Sequence, residues 1–295
     1  MDRYLEMQTF CAVVDSGSFV KASEQLKVSK AAVSRYISDL EARLGVRLLQ
    51  RTTRRMSLTE EGILFNERCK HLLSELEDAE NEVSSRGVEV SGLIRVNAPV
   101  TFGIMHLAQL WDQFHLRHPK VQLDVTLSDQ IVDLLDDSYD LAIRIAKLAS
   151  SSMISKQLSS TRVILCASPR YLELRGLPEQ PLDLVSHETI SYSNFATGSE
   201  WQFDGPEGPS SVKIKSWMHS NNGETCVAMA IRDQGIILQP SFLVAEAINR
   251  GELVEVLPEY KSIQLGIYAV YPSRKHIPLK TRALVEFLNE KLQQK

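Results

Sequence analysis

Residues 10–62 read FCAVVDSGSFVKASEQLKVSKAAVSRYISDLEARLGVRLLQRTTRRMSLTEEG, and the rhythm of this stretch decides the N-terminal fold. Met7, Phe10, Cys11 and Val14 recur at i, i+3, i+4 and i+7, the stripe of one buried helix face, and predict a helix over 4–15. Asp15-Ser16-Gly17-Ser18 breaks it. Gly17 permits a turn, and Ser18 carries the side chain that caps a second helix over about 19–26. Val28-Ser29 makes a second break, Ser29 caps a third helix reaching Leu44, and Gly45 stands where a C-cap glycine belongs. Two short helices across a tight turn, then a longer one, form a helix-turn-helix.

In the third helix Val33, Ile37, Leu40 and Leu44 fall at spacings of 4, 3 and 4 and predict its inward face. The opposite face offers Lys30, Ala31, Ser34, Arg35 and Ser38, with no carboxylate in the first two turns; Asp39 and Glu41 come later. A helix fits the major groove of B-DNA, where short polar or cationic side chains near its N-terminus reach base edges. Beyond Gly45, residues 48–58 read as a short β-hairpin whose tip gathers Arg51, Thr52, Thr53, Arg54 and Arg55, a wing suited to phosphate or minor-groove contact.

Charge distribution agrees. The whole chain carries a net charge of −4, yet residues 1–58 hold ten lysines and arginines against six acids, a balance of +4. Residues 59–90 hold nine acids against three bases, a balance of −6. Positive charge is concentrated at one end, as a footprint on phosphates requires.

The stretch resembles the winged helix-turn-helix of LysR-type transcriptional regulators along nearly its full length. The resemblance rests on Phe10, Gly17-Ser18-Phe19, Ala22, Leu26, Ser29, Val33-Ser34, Ile37, Leu40-Glu41, Leu44-Gly45, Leu48, Arg51, Leu58-Thr59 and Gly62. Ser23 replaces the family's usual second alanine, Lys30-Ala31 its common Gln-Pro, and Leu49 its usual Phe. The Lys30-Ala31 departure touches the base-reading end of the helix, so the operator sequence does not follow from the resemblance. DNA contacts are expected from Ser18, Ser29, Lys30, Ala31, Ser34, Arg35, Ser38 and the 51–55 tip.

From Thr59 to about Arg86 there is no proline, and Phe65, Cys69, Leu72, Leu76, Ala79 and Val83 alternate at spacings of 4 and 3 with acidic flanks. That is a heptad seam. One helix cannot bury it alone, so the stripe predicts dimerisation through Phe65, Leu72, Leu76, Ala79 and Val83; packing on the chain's own domains is the alternative. In the family this is the helix that pairs subunits, and a dimer addresses two half-sites of a near-palindrome. A hinge is expected around Arg86-Gly87.

The remainder alternates strands and helices. Strands are expected at Leu93–Ala98, Val121–Leu127, Leu141–Ile145, Val163–Ala167, Thr189–Tyr192, Trp201–Phe203, Val212–Lys215, Ile236–Leu238 and Gln264–Tyr271. Helices are expected over 99–116, 131–135, 223–232, 241–249 and 279–292. The pattern argues for βαβ units and a mostly parallel sheet. It is similar to the family's two-lobed effector domain, itself like periplasmic binding proteins, through Asp140-Leu141-Ala142-Ile143-Arg144, residues 167–172, 176–178 and 181–184, and Gly251-Glu252-Leu253-Val254.

The expected fold class is therefore an all-α winged helix-turn-helix domain followed by an α/β two-lobed domain. The boundaries are 1–58 for the DNA-binding domain, 59–90 for the linker helix and hinge, and 91–295 for the effector domain. Lobe I takes about 91–165 and 267–295, and lobe II about 166–266. The 295-residue length suits two domains at ~100–200 residues each.

Open α/β sheets bind ligands at the carboxyl ends of their strands, where helix N-termini offer free N–H groups. That rule selects Pro99, Val100, Thr101, Phe102, Ser128, Ser191, Ser193 and Asn222 for a small anionic or polar effector, each with helix capping as its alternative role. Arg144 is open between an internal ion pair and a ligand contact.

Other classes fit less well. No GxSxG, HExxH, P-loop or GxGxxG occurs, and no catalytic set converges on His115 and His118, so no enzyme and no cofactor are expected. A solute-binding protein would leave 1–90 unexplained, and no aromatic run suits RNA. Cys11, Cys69, Cys166 and Cys226 lie far apart without CxxC, neither a disulfide framework nor a metal site, although Cys166 and Cys226 leave redox sensing open. The polar start Met1-Asp2-Arg3-Tyr4-Leu5-Glu6 lacks a signal core, and a bacterial cytoplasmic regulator is expected, a homodimer or homotetramer whose partners are duplex DNA, an effector and RNA polymerase. Activation versus repression stays open. If the wing contacts phosphates, Arg54→Ala weakens binding to all duplexes alike and lowers the slope of log affinity against log salt by about 1, measured by salt-titrated gel shift.

Overall fold

A computed structural model describes residues 2–51, 56–83, 90–130, 134, 139–147, 154–195, 198–272 and 277–293. The chain divides into two compact units, Met1–Glu89 and Val90–Lys295. The wing tip Thr52–Arg55, the hinge around Arg86-Gly87 and, Leu134 apart, the helix expected over 131–135 lie outside the described residues.

The first unit is built from α1 (Arg3–Ser16), α2 (Phe19–Leu26), α3 (Lys30–Leu44), a hairpin of β1 (Leu49–Arg51) and β2 (Met56–Leu58), and α4 (Glu60–Val83). Its boundaries follow the sequence because the caps are local chemistry. Ser18 accepts from the amides of Val20 and Lys21, and Ser29 from that of Ala32. Gly45 closes α3 in the left-handed region at φ 72°, which costs a residue with a Cβ dearly. Lys27 takes the same conformation at the end of α2 with φ 55°, a position the sequence does not announce.

Phe10, Val13, Ala22, Val33, Ile37 and Leu40 are fully buried and form the core of this unit with Leu48 and Leu49. An ion pair with its acid buried and its base at the surface joins α1 to α3: Arg43 donates to Glu6 through Nη2 at 2.6 Å and Nε at 3.0 Å, and Glu6 is 2% exposed. The hairpin is tied on from both sides. Glu41 Oε1 accepts from the amides of Leu48 (2.8 Å) and Leu49 (3.0 Å), and Thr59 Oγ1 donates to the Arg47 carbonyl at 2.7 Å. Gly62 sits so close to the Leu48 carbonyl that any Cβ would overlap it, which gives that glycine its reason.

The second unit contains β3 (Gly92–Ala98), then a helical run over 100–117 made of α5 (Val100–Phe102), a π-turn Gly103–Leu107 and α6 (Ala108–Arg117). There follow β4 (Val121–Leu127), β5 (Leu141–Ala146), β6 (Ile154–Ala167), α7 (Pro169–Arg175), a 3-10 turn Pro181–Ser186, β7 (Thr189–Tyr192), β8 (Glu200–Gly205) and β9 (Gly208–Lys213). The chain continues through β10 (Met218–Ser220), α8 (Gly223–Ile231), β11 (Ile236–Pro240), α9 (Ser241–Asn249), β12 (Val254–Glu255), β13 (Lys261–Ser262), β14 (Gln264–Tyr271) and α10 (Leu279–Leu292).

Among the described residues the main sheet has the order β10-β7-β11-β6-β14-β5-β3-β4, with β12 also on β6. The sheet is mixed, which corrects the expectation of mostly parallel strands. β3 is parallel to β4 and β5, and β7 to β10 and β11, but β14 runs antiparallel to both β5 and β6, and β11 antiparallel to β6. The chain leaves lobe I along β6 and returns along β14, and neighbours that carry a chain out and back run in opposite senses. Apolar alternation reports burial and carries no strand direction.

Helices α6 and α10 pack on β3, β5 and β14 around Phe114, Leu284 and Leu288, and α8 and α9 pack on β6, β7 and β11 around Cys226, Val244 and Ile237. A separate sheet β13-β8-β9 covers the other side of lobe II around Trp201 and Phe203. The Glu6–Arg43 pair yields a test. Arg43→Ala strands a buried carboxylate and should cost about 3–5 kcal/mol, read as a lowered urea midpoint of the full chain. Glu6→Gln with Arg43→Gln should recover most of it.

Candidate nucleic-acid interface and effector cleft

The reading helix α3 presents two chemically distinct faces. Val33, Ile37 and Leu40 are fully buried, Lys30, Ala31, Arg35 and Ser38 are exposed, and Ser34 is half-buried. Arg35 stands over the ring of its neighbour Tyr36 at 5.4 Å, a cation–π contact that holds the guanidinium on the outer face. Glu41, the nearest glutamate on the helix, is turned to the hairpin amides. Ser18 and Ser29 accept helix-capping hydrogen bonds from the amides of Val20 and Lys21 and of Ala32. In the hairpin Leu49 faces Leu58 and Arg51 faces Met56 across an antiparallel pair. Residues Thr52, Thr53, Arg54 and Arg55, and the side chain of Arg51, lie outside the described ones.

The stripe on α4 divides. Phe65, half-buried, meets Phe10 at 5.7 Å between ring centroids and packs against the core of its own unit. Cys69 is fully buried, with the thiol of Cys11 as its neighbour. One helical turn further on, Leu72 is 52% exposed and Leu76 43% exposed, and Ala79 is exposed as well. Val83 ends the helix, and its side chain is not among those described. Ile63 and Leu64, near the start of α4, are also exposed and lie off the heptad stripe.

In the second unit the cleft follows from the register of β6. Its N-terminal part pairs with β14 from Ile154 to Arg162, and its last residues pair with β11 from Val163 to Cys166. β5 runs with β6 and ends at Ala146, level with Gly266 and Ser160; β11 runs against it and ends at Pro240, level with Val163. The carboxyl ends of the two strand sets therefore converge on residues 160–163 from opposite directions. Several contacts cross between the lobes there. Asn194 Nδ2 donates to the Asp129 carbonyl at 3.0 Å, the hydroxyls of Thr161 and Ser241 lie 3.1 Å apart, and Phe242 meets Phe102 and His106 edge-on at 5.5 Å each.

The expected effector residues sort by what they do. Thr101 and Phe102 are buried, Phe102 in the lobe I core, while Pro99 and Val100 are half-buried at the start of the helical run. The Val100 amide is taken by Asp129 Oδ1 at 3.0 Å. Ser128 Oγ accepts from the Gln130 amide, and Asn222 Oδ1 caps α8 through the amide of Thr225. Ser191 points inward: its hydroxyl lies 2.5 Å from that of Ser216, which reaches Thr189 in turn. Ser193 is exposed.

Two residues at the cleft were not selected from sequence. Asn194 bridges the lobes, and Asn97, fully buried, accepts from Arg144 at 2.7 Å. Burial lowers the pKa of Arg144. The thiols of Cys166 and Cys226 are pushed up by burial, to about 12 and about 11, so both stay protonated at neutral pH despite the helix start beside Cys226.

A winged helix-turn-helix and a separate two-lobed α/β domain with a cleft between its lobes define a ligand-responsive DNA-binding protein. Comparison with known proteins gives the family. Residues 5–63 match the bacterial regulatory helix-turn-helix protein, lysR family, and residues 87–293 the LysR substrate binding domain. The chain belongs to the LysR family of transcriptional regulators.

It is 36% identical over 284 residues to an uncharacterized HTH-type transcriptional regulator of Haemophilus influenzae, covering 96% of this chain and 99% of that one. To the HTH-type transcriptional regulator PtxR of Pseudomonas aeruginosa it is 36% identical over 97% of this chain and 92% of the relative. The solved structure of CrgA, a LysR-type regulator from Neisseria meningitidis, superposes with TM-score 0.62 at 33% identity, covering 97% and 98%. These relatives are regulators of transcription. The outer face of α3 sets one expectation: Arg35→Ala removes a base-reaching cation and should cost about 1–3 kcal/mol at a specific operator with little change on random duplex, measured by competition gel shift.

Proposed function

We propose that this regulator reads a near-palindromic operator as a homodimer or as a homotetramer of such dimers, and that an effector in the cleft of residues 91–295 alters the spacing of its reading helices. The observation that carries the reading is the outer face of α3, cationic and free of carboxylate in its first two turns, on a unit whose α4 leaves Leu72, Leu76 and Ala79 uncovered. Residues 1–58 make the DNA contacts, with Lys30, Ala31, Ser34, Arg35 and Ser38 at the bases and Arg51 to Arg55 at the backbone. Residues 59–90 pair the subunits and transmit the change.

The effector enters between a lobe I of about 91–165 and 267–295 and a lobe II of about 166–266. Pro99, Val100, Thr101, Ser128, Ser193 and Asn222 stand at the strand ends that face it. Ligand that draws the lobes together acts on the Asn194–Asp129 bridge, and RNA polymerase recruitment changes with the bend of the operator. The protein acts by binding and carries out no reaction of its own. It works in the cytoplasm; among the described residues no helix is long and apolar enough to cross a membrane.

The test is the pair Leu72→Glu and Leu76→Glu in the full chain. Two half-sites held by one dimer gain on the order of 10²–10⁴ in affinity over one, so the double variant should sediment as a smaller species and lose that factor on a full operator. Affinity for a single half-site should change little. A variant that still binds the full operator as tightly as the parent chain would refute pairing through this stripe.

A further inference from the structure

Arg144 lies on β5, and among the described residues no acid neutralises it. Its Nη1 donates to Asn97 Oδ1 at 2.7 Å and to the Ile143 carbonyl at 3.3 Å. Its Nη2 is closed off from solvent and has no hydrogen-bond partner, and the same holds for Nδ2 of the fully buried Asn97. Among the described residues no carboxylate forms an ion pair with Arg144. Asp140, four residues upstream, is committed to the Arg95 amide at 2.8 Å, and Asp129 to that of Val100. A buried donor without an acceptor is costly, and more so when it is charged, so folded proteins pair nearly all of them. Two such donors side by side, on adjacent strands of a ligand-binding domain, are open to an acceptor that the described residues do not supply.

Register places them at the cleft. Asn97 is paired with Ala142 in the parallel β3–β5 ladder, so Arg144 stands level with Pro99, where β3 gives way to the helical run. On its other side Arg144 faces Tyr268 of β14. Ala142 and Arg144 share one face of the strand, and on that face Tyr139 and Tyr268 pack against Leu134, Ala142 and Val270. Cationic donors thus adjoin an apolar, ring-lined wall.

The geometry points to Arg144 and Asn97 as the anion seat of the effector, and to an effector that is a carboxylic acid with an apolar or aromatic body. The assignment rests on the reading of residues 91–295 as the effector domain and names the chemistry of that site. The carboxylate receives Arg144 Nη2 and Asn97 Nδ2, and the apolar body lies against Tyr139 and Tyr268.

The experiment measures thermal unfolding of the full chain with benzoate, salicylate, phenylacetate and hexanoate, and with the neutral amide of each acid. It uses the unsubstituted protein, Arg144→Met and Arg144→Lys. At least one acid should raise the melting temperature while its amide does not. Arg144→Met should weaken that acid on the order of 10–100-fold, and Arg144→Lys should restore part of the response. Without ligand, Arg144→Met should melt no lower than the parent, because it removes an uncompensated charge.

An apo Arg144→Met that melts several degrees lower would show a structural arginine and overturn the assignment. So would amides that act as well as acids, or no response to any of the acids. Gel shift on the same samples separates the two readings. A protein that binds operator and ignores the acids fails only here, whereas one that ignores duplex DNA fails as a regulator.

Discussion

Two glutamates of the first unit are held by structural bonds, and neither stands on the cationic outer face of α3. Glu6 is buried against Arg43, and Glu41 is held by the amides of Leu48 and Leu49. Both bonds are structural, one fixing α1 to α3 and the other fixing the hairpin to the end of α3. Their electrostatic consequence is as important. A carboxylate on the outer face of α3 would meet the phosphates of a duplex, and repulsion there would act against every contact that Lys30 and Arg35 make. Glu41, the one of the two that lies on α3, is held at the hairpin by the same bonds that fix the hairpin to the helix.

In the second unit the corresponding constraint is the continuity of β6. A single strand belongs to the β14 ladder over its first residues and to the β11 ladder over its last. The two strand sets cannot slide past one another along it, because a one-residue slip would move every side chain to the other face of the sheet. The lobes can still alter their angle about residues 160–163, where the described contacts that span them are two polar pairs and the packing of Phe242 on Phe102 and His106. A bend is thus the motion the topology leaves available. It is the motion that a ligand touching both walls would bias.

Much of this was legible in the sequence where the governing physics is local. Ser18, Ser29 and Gly45 mark helix ends because caps depend on a few neighbouring residues, and the 3.6-residue rhythm of Val33, Ile37 and Leu40 sets the buried face of α3 directly. What escaped depends on residues far apart in the chain. The direction of β14 reflects a return from lobe II. The division of the α4 stripe reflects α1, whose Phe10 and Cys11 meet Phe65 and Cys69, while Leu72 is exposed. The π-turn at Gly103–Leu107 leaves the apolar spacing nearly unchanged, so pattern alone does not reveal it. At the cleft, the strand ends are legible, but the hydrogen bonds of the side chains there depend on residues distant in the chain. Ser191 proved to be tied to Ser216, and Asn97, a strand residue before the loop, carries the free donor.

Two arginines show how the fold treats a guanidinium it needs for structure and one it does not. Arg43 has a carboxylate at 2.6 Å, and that pair joins two helices. Arg144 is half-buried, and it has an amide oxygen and a carbonyl for company and one enclosed nitrogen left over. Neither bond carries a formal negative charge, and neither ties β5 to an element that the strand ladders do not already hold. Stability alone would favour an apolar side chain at such a position, since a well-packed hydrocarbon outperforms a charge that is buried and uncompensated. An arginine retained there at a cost in stability is accounted for by a state of the protein in which the charge is met.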